Sequence, residues 1–124
     1  MTGKNSVLIV EDDDLICHLI EWRLQKLGYS VIGKAATGKD AITLTAETNP
    51  DAILMDIAIK GDMDGIETAK IIKEKFNIPI IFLTASSDDR TLNRVIPFQP
   101  AQYILKPFND DDLRIALRLS LGGK

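Results

Sequence analysis

Four short apolar runs constrain this chain most: Val7-Leu8-Ile9-Val10, Ile53-Leu54-Met55, Ile78 to Leu83 and Tyr103-Ile104-Leu105. None alternates with polar residues, which predicts strands buried on both faces, the habit of parallel sheets. A weaker run, Tyr29-Ser30-Val31-Ile32, fits an edge strand. Helical patterns separate these runs. Leu15 to Leu27 carries an apolar stripe through Ile16, Ile20, Leu24 and Leu27, and Gly28 suits its stop. Ala41 to Thr48 ends before Asn49-Pro50, because a residue preceding proline disfavours helix. Ile66 to Phe76 repeats apolar positions at Ile66, Ala69, Ile72 and Phe76. Asp111 to Leu121 opens on acids and carries Arg114 and Arg118 later, an order that complements the helix dipole. Asp88 to Val95 suits a short helix, and Pro97 and Pro100 prevent a longer one. Five strands alternating with five helices predict an α/β architecture with right-handed crossovers.

Composition removes several function classes. The 15 basic and 18 acidic residues give a net charge of −3, against a basic nucleic-acid-binding surface. Cys17 is the sole cysteine, which excludes a disulfide framework and a cysteine-based zinc site. No apolar run approaches the roughly 18 residues of a membrane span, and Met1 to Asn5 lacks a signal-peptide core. A reduced, cytoplasmic setting is the resulting expectation. The 124 residues suit one domain over 1–124, with residues 122–124 a frayed tail and no output domain inside the chain.

In a parallel sheet flanked by helices, the site lies beyond the carboxyl ends of the strands. Strand one runs into Glu11-Asp12-Asp13-Asp14, strand three ends at Asp56, strand four at Thr84 and strand five at Lys106-Pro107. Neighbouring strands lie about 4.8 Å apart, so carboxylates ending strands one and three can reach one cation. Asp12 and Asp56 would repel each other unless a proton or a cation intervenes. Oxygen ligands that leave room for water suit Mg²⁺. Lys106 adds positive charge and Thr84 a hydroxyl, the surroundings a carboxylate needs to attack phosphorus. Asp56, central on strand three, is assigned as that nucleophile.

Each signal alone has a plainer meaning. Asp13 or Asp14 suits a helix cap, Asp56 a strand-to-loop turn, Thr84 a cap shared with Ser86 and Ser87, and Lys106 a solvated surface. Gly33 to Asp40 nearly spells a P-loop, but Asp40 stands where a hydroxyl would bind magnesium. A turn with Thr37 or Gly38 at a helix start is the better reading. His18 suits a helix face rather than a ligand, and Cys17 a small core hydrophobe.

Taken together, these stretches resemble the receiver domain of two-component response regulators, of the chemotaxis-regulator kind. The matching segments are Val7 to Asp13, Ile53-Leu54-Met55-Asp56, Met63-Asp64-Gly65, Phe82-Leu83-Thr84-Ala85 and Tyr103 to Phe108. The resemblance implies a flavodoxin-like five-stranded parallel sheet in strand order 2-1-3-4-5. It implies that Asp56 is the phosphoacceptor and that Asp12 binds Mg²⁺ directly, with Glu11 acting through water and the Ala58 carbonyl as a further ligand. Thr84 and Lys106 would bind phosphoryl oxygens, and Tyr103 would be the aromatic switch that follows Thr84. Ala58 and Ser86 would flank the water that hydrolyses the acyl phosphate. A cis Lys106-Pro107 bond is implied too, which proline makes accessible.

The implied function is a phosphorylation-dependent switch that takes its phosphoryl group from a histidine kinase or phosphotransfer protein. A downstream effector is implied without being specified, and neither nucleic acid nor membrane is a direct partner. The kinase-side docking surface would be Leu15, Ile16 and Leu19 with Pro107-Phe108. Homodimerisation through the helix-four to helix-five face is among the options. Such a domain catalyses its own phosphorylation and dephosphorylation rather than turnover of an external substrate. Two alternatives stay open: a Mg²⁺-dependent phosphohydrolase of the haloacid dehalogenase type, and an interaction module of the same fold that is never phosphorylated. The first wants an acid where Ala58 stands. The chain also departs from the family pattern. Lys60 replaces a proline, the Lys60-Gly61-Asp62 segment is one residue longer, and Glu11 stands for the commoner aspartate.

Overall fold

The computed structural model describes residues 5–85, 88–98 and 102–121. In chain order the elements are β1 (Ser6–Val10), α1 (Asp14–Lys26), β2 (Ser30–Ala35), α2 (Gly38–Thr48) and β3 (Ala52–Asp56). They continue with α3 (Gly65–Lys75), β4 (Ile80–Thr84), α4 (Asp89–Val95), a 3-10 turn at Ile96–Phe98, β5 (Gln102–Leu105) and α5 (Asp110–Leu121). All strand pairs are parallel, in the order β2-β1-β3-β4-β5. The strand order implied by the resemblance is therefore the observed one.

The unbroken apolar runs have a simple cause. Side chains alternate across a strand, and both faces of this sheet are covered. Leu8, Val10, Ile53, Met55, Ile80 and Phe82 face one core with Ala41, Ile66, Ala69 and Ile72 from α2 and α3. Val7, Ile9, Ala52, Leu54, Ile81 and Leu83 face the other with Ile20 and Leu24 of α1 and Leu113 and Leu117 of α5. Every residue of β3 and β4 is buried. Each large aliphatic side chain so buried contributes about 1.5–3 kcal/mol.

Three boundaries differ from the sequence reading by more than one residue. β2 extends to Ala35 rather than Ile32 and pairs with β1 across a register shift at Val7/Leu8. Its Gly33-Lys34 pair looks like loop because an edge strand needs little apolar character. β4 begins at Ile80, since Pro79 at its entry cannot donate to the ladder; its carbonyl instead accepts from the Ile53 N–H at 3.0 Å. α2 begins at Gly38 because Thr37 caps it, its hydroxyl accepting from the Asp40 N–H at 3.1 Å. That cap settles the P-loop look-alike: Gly33-Lys34 lies inside a strand and Gly38-Lys39 opens a helix. Ser86, Pro100 and the 122–124 tail fall outside the described residues.

Candidate functional site

The β1-to-α1 connection is short, and this fixes its acids at the sheet's carboxyl edge. Glu11 prolongs β1 by donating its N–H to the Ala35 carbonyl at 2.9 Å. Asp13 then caps α1, its carboxylate accepting from the Ile16 N–H at 3.1 Å. Between them, the Asp13 N–H donates to Glu11 Oε2 at 3.2 Å. Asp56 ends β3, and Ile57 donates to the Leu83 carbonyl at 3.0 Å, so pairing continues past the acid. Glu11, Asp12 and Asp56 present carboxylate oxygens within 4.8 Å of one another.

Lys106 follows β5, and its N–H donates to the Thr84 carbonyl at 2.8 Å. Its ammonium bridges two acids, 3.0 Å from Asp56 Oδ2 and 3.1 Å from Glu11 Oε1. The Lys106-Pro107 bond is cis, as the resemblance implied. Beyond it, Arg23 of α1 donates to the Phe108 carbonyl at 2.8 Å and lies 5.5 Å from the centre of its ring. Thr84 is the last residue of β4 and is buried. Because Asp56 pairs with Leu83, Thr84 stands one step beyond Asp56 on the adjacent strand.

Crowding of like charges perturbs this edge. Glu11 and Asp56 are each only 4% exposed. Burial pushes the Glu11 carboxyl up to about 7, and the neighbouring Asp56 charge and hydrogen bond add to it, while Lys106 opposes. Burial pulls the Lys106 ammonium down, but the paired carboxylates outweigh that, and its pKa ends above the ordinary value. An acid cluster with one cation and a net negative surplus suits a divalent metal bound through oxygen.

The remaining predicted residues fall near or away from this cluster. The Ala58 N–H donates to Asp56 Oδ1 at 3.2 Å. Tyr103 is half-buried on β5, opposite Phe82. His18 is exposed on α1, 3.9 Å from Glu21, and Cys17 packs in the core. Gly65 has a packing role that its residue type does not announce. It opens α3, donates to the Ile57 carbonyl at 2.8 Å and lies so close to the Asp56 carbonyl that a Cβ would overlap backbone. Its place in Met63-Asp64-Gly65, a glycine right after a capping acid, was the available signal.

The sequence profile of the response regulator receiver domain matches residues 7–118. The chain belongs to that family. This makes it a receiver domain of the kind used by two-component response regulators. Among curated relatives, the probable C4-dicarboxylate response regulator DctR of Halalkalibacterium halodurans is 34% identical over 113 residues, covering 90% of this chain and 49% of that protein. The chain thus spans about half the length of that relative. Solved receivers superpose closely. The signal receiver domain of a modulated diguanylate cyclase from Desulfovibrio desulfuricans has TM-score 0.89 at 35% identity, covering 97% of this chain and 95% of that one. Chemotaxis protein CheY4 of Vibrio cholerae has TM-score 0.84 at 28% identity, covering 96% and 100%. The acid cluster at the carboxyl edge of this sheet, Glu11, Asp12 and Asp56, is compatible with a phosphoacceptor site.

Proposed function

We propose that this receiver accepts a phosphoryl group on Asp56 from a phosphohistidine of a histidine kinase or phosphotransfer protein. The observation that carries the reading is the Lys106 ammonium held 3.0 Å from a buried Asp56 carboxylate beside two more acids. An Asp56 carboxylate oxygen attacks phosphorus, the P–N bond breaks, and its electron pair returns to the donor imidazole. Lys106 and the Thr84 hydroxyl hold the transferred phosphoryl oxygens in this reading, and the Ala58 N–H fixes the orientation of the attacking carboxylate. Asp12 and Glu11, with Asp56 and the Ala58 carbonyl, are the residues that would hold Mg²⁺. When bound there, the metal supplies charge neutralisation for the incoming phosphoryl oxygens. Water later cleaves the acyl phosphate, with Ala58 beside its path.

Signalling is a population shift, driven by contacts made only with the phosphorylated state. Thr84 and Tyr103 link the phosphoryl group to the α4, β5 and α5 face in this reading. The donor docks on Leu15, Ile16 and Leu19 with Pro107-Phe108. Ile16, Leu19, Pro107 and Phe108 line a shallow apolar cavity of about 430 Å³, and Leu15 is exposed beside it. The activity is confined to the domain's own aspartyl phosphate, and a cytoplasmic setting goes with such a donor.

Beryllofluoride binding and phosphotransfer, each with and without Mg²⁺, test the assignment. Wild type should bind beryllofluoride only with Mg²⁺, and Asp56→Asn should neither bind it nor acquire an acid-labile phosphate. An Asp56→Asn protein that still becomes labelled would overturn it. Sustained turnover of small phosphate esters would instead favour the phosphohydrolase. Charge substitutions at Leu15 or Phe108 should slow transfer from the donor; unchanged rates would remove that docking surface.

A further inference from the structure

Helix α4 is lightly held. Of its seven residues only Val95 is buried. The turn after it adds Phe98, packed edge-on against Phe82 with ring centres 5.2 Å apart. Among the described residues, an ion pair ties it to the start of α3, Arg94 Nη2 to Asp64 Oδ2 at 2.8 Å. Both side chains stay partly in water, so the pair is a weak fastening rather than a structural rivet.

The partner it has chosen is nevertheless consequential. Asp64 caps α3, accepting from the Glu67 N–H at 2.9 Å, while the Glu67 carboxylate accepts from the Asp64 N–H at 2.9 Å. The next residue, Gly65, is the one packed against the Asp56 carbonyl. One residue therefore separates the Arg94 anchor from the backbone that carries Asp56. At the other end of α4, its cap Asp88 lies four residues after Thr84. Helix α4 is thus anchored at its far end to the turn behind Asp56, and in sequence it follows closely on Thr84.

We propose that the Arg94–Asp64 ion pair is a resting-state latch, holding α4 against the turn behind Asp56 and releasing it when Asp56 carries a phosphoryl group. This rests on the phosphoacceptor reading above. A phosphoryl group brings roughly −1.5 to −2 charge and three acceptor oxygens. Contacts drawn to it from the end of β4 are conveyed to α4, and a weak exposed pair is the first tie to give. Linkage fixes the sign: whatever stabilises the resting state lowers the apparent affinity for a ligand that selects the other state. Removing the latch must therefore tighten beryllofluoride binding.

The test is a calorimetric beryllofluoride titration of the whole chain with Mg²⁺ at low salt. Arg94→Ala should bind about two- to fivefold more tightly, the range expected for releasing an exposed ion pair. Asp64→Asn should match it, because asparagine keeps the helix cap but not the charge. The double variant should gain nothing further, Arg94→Lys should stay near wild type, and high salt should erase the difference. A merely structural role would weaken binding instead. Unchanged or weaker binding by Arg94→Ala, or additive gains in the double variant, would overturn the latch alone. Absence of binding by wild type, or binding kept by Asp56→Asn, would overturn the phosphoacceptor reading and the latch with it.

Discussion

All five residues of β3 are buried, whereas α4 buries only Val95 among seven. The two elements flank the same site and are stabilised in opposite ways. β3 is fixed by hydrogen-bonded strands on both sides and by a core on each face. Among the described residues, α4 shows one buried side chain, its cap at Asp88 and a partly exposed ion pair. The difference teaches how one small domain divides its labour. The proposed phosphoacceptor Asp56 is set in a fully buried strand of the sheet, whereas the helix that follows Thr84 buries a single side chain.

The largest effect should come from breaking the rigid side. Leu54→Ala empties a fully buried position in the middle of β3 and should cost about 2–5 kcal/mol of stability by urea unfolding. Sharpening the same side with pH comes next. The Glu11 carboxyl is raised to about 7 in the fold from its ordinary 4.5. The folded state thus binds the proton more tightly than the unfolded chain, so this group's stabilisation is complete below about 4.5 and is lost as pH rises through about 7. In metal-free protein, the wild type should lose up to about 3 kcal/mol relative to Glu11→Gln between these limits. Equal pH slopes in the two proteins would contradict the assignment.

Gly65→Ala follows. Its added carbon meets backbone at Asp56 and Ile57, which cannot yield as a flexible side chain would. Stability should fall by about 1–3 kcal/mol, and phosphoryl uptake should slow because the phosphoacceptor backbone is displaced. The smallest effect tests the compliant side: Leu92→Ala on α4, where Leu92 is only half-buried, should cost about 0.5 kcal/mol or less. A cost approaching that of Leu54→Ala would dissolve the contrast between the two elements.

Much of this arrangement is legible in the sequence, for identifiable reasons. Burial on both faces erases alternation, so strands β1, β3 and β4 are visible as apolar runs. Their terminal polar residues then name Glu11, Asp56 and Thr84 directly. Thr37 and Asp13 are readable as caps because short polar side chains precede helical patterns. The length of β2 is not readable, since an edge strand tolerates Gly33 and Lys34. Nor is the Arg94–Asp64 pair, whose members lie thirty residues apart and look like ordinary surface charges. Geometry rather than residue type also gives Gly65 its part. Glycine after a capping acid is common, and only the sheet's position shows that it touches Asp56.

One small feature bears on how such a chain can change over time. Thr37 and Lys60 form an isolated parallel bridge, and Gly61 turns the chain there with φ +105°. The Lys60-Gly61 stretch is thereby taken up as an edge contact upstream of Met63, before Gly65 is reached. Loop length on that side should therefore be a tolerant variable, open to insertion or deletion without moving Asp56. At Gly65 the tolerance ends, because an added Cβ there would land on the Asp56 and Ile57 backbone. Substitutions on one flank of this turn should be borne easily, and any side chain at Gly65 hardly at all.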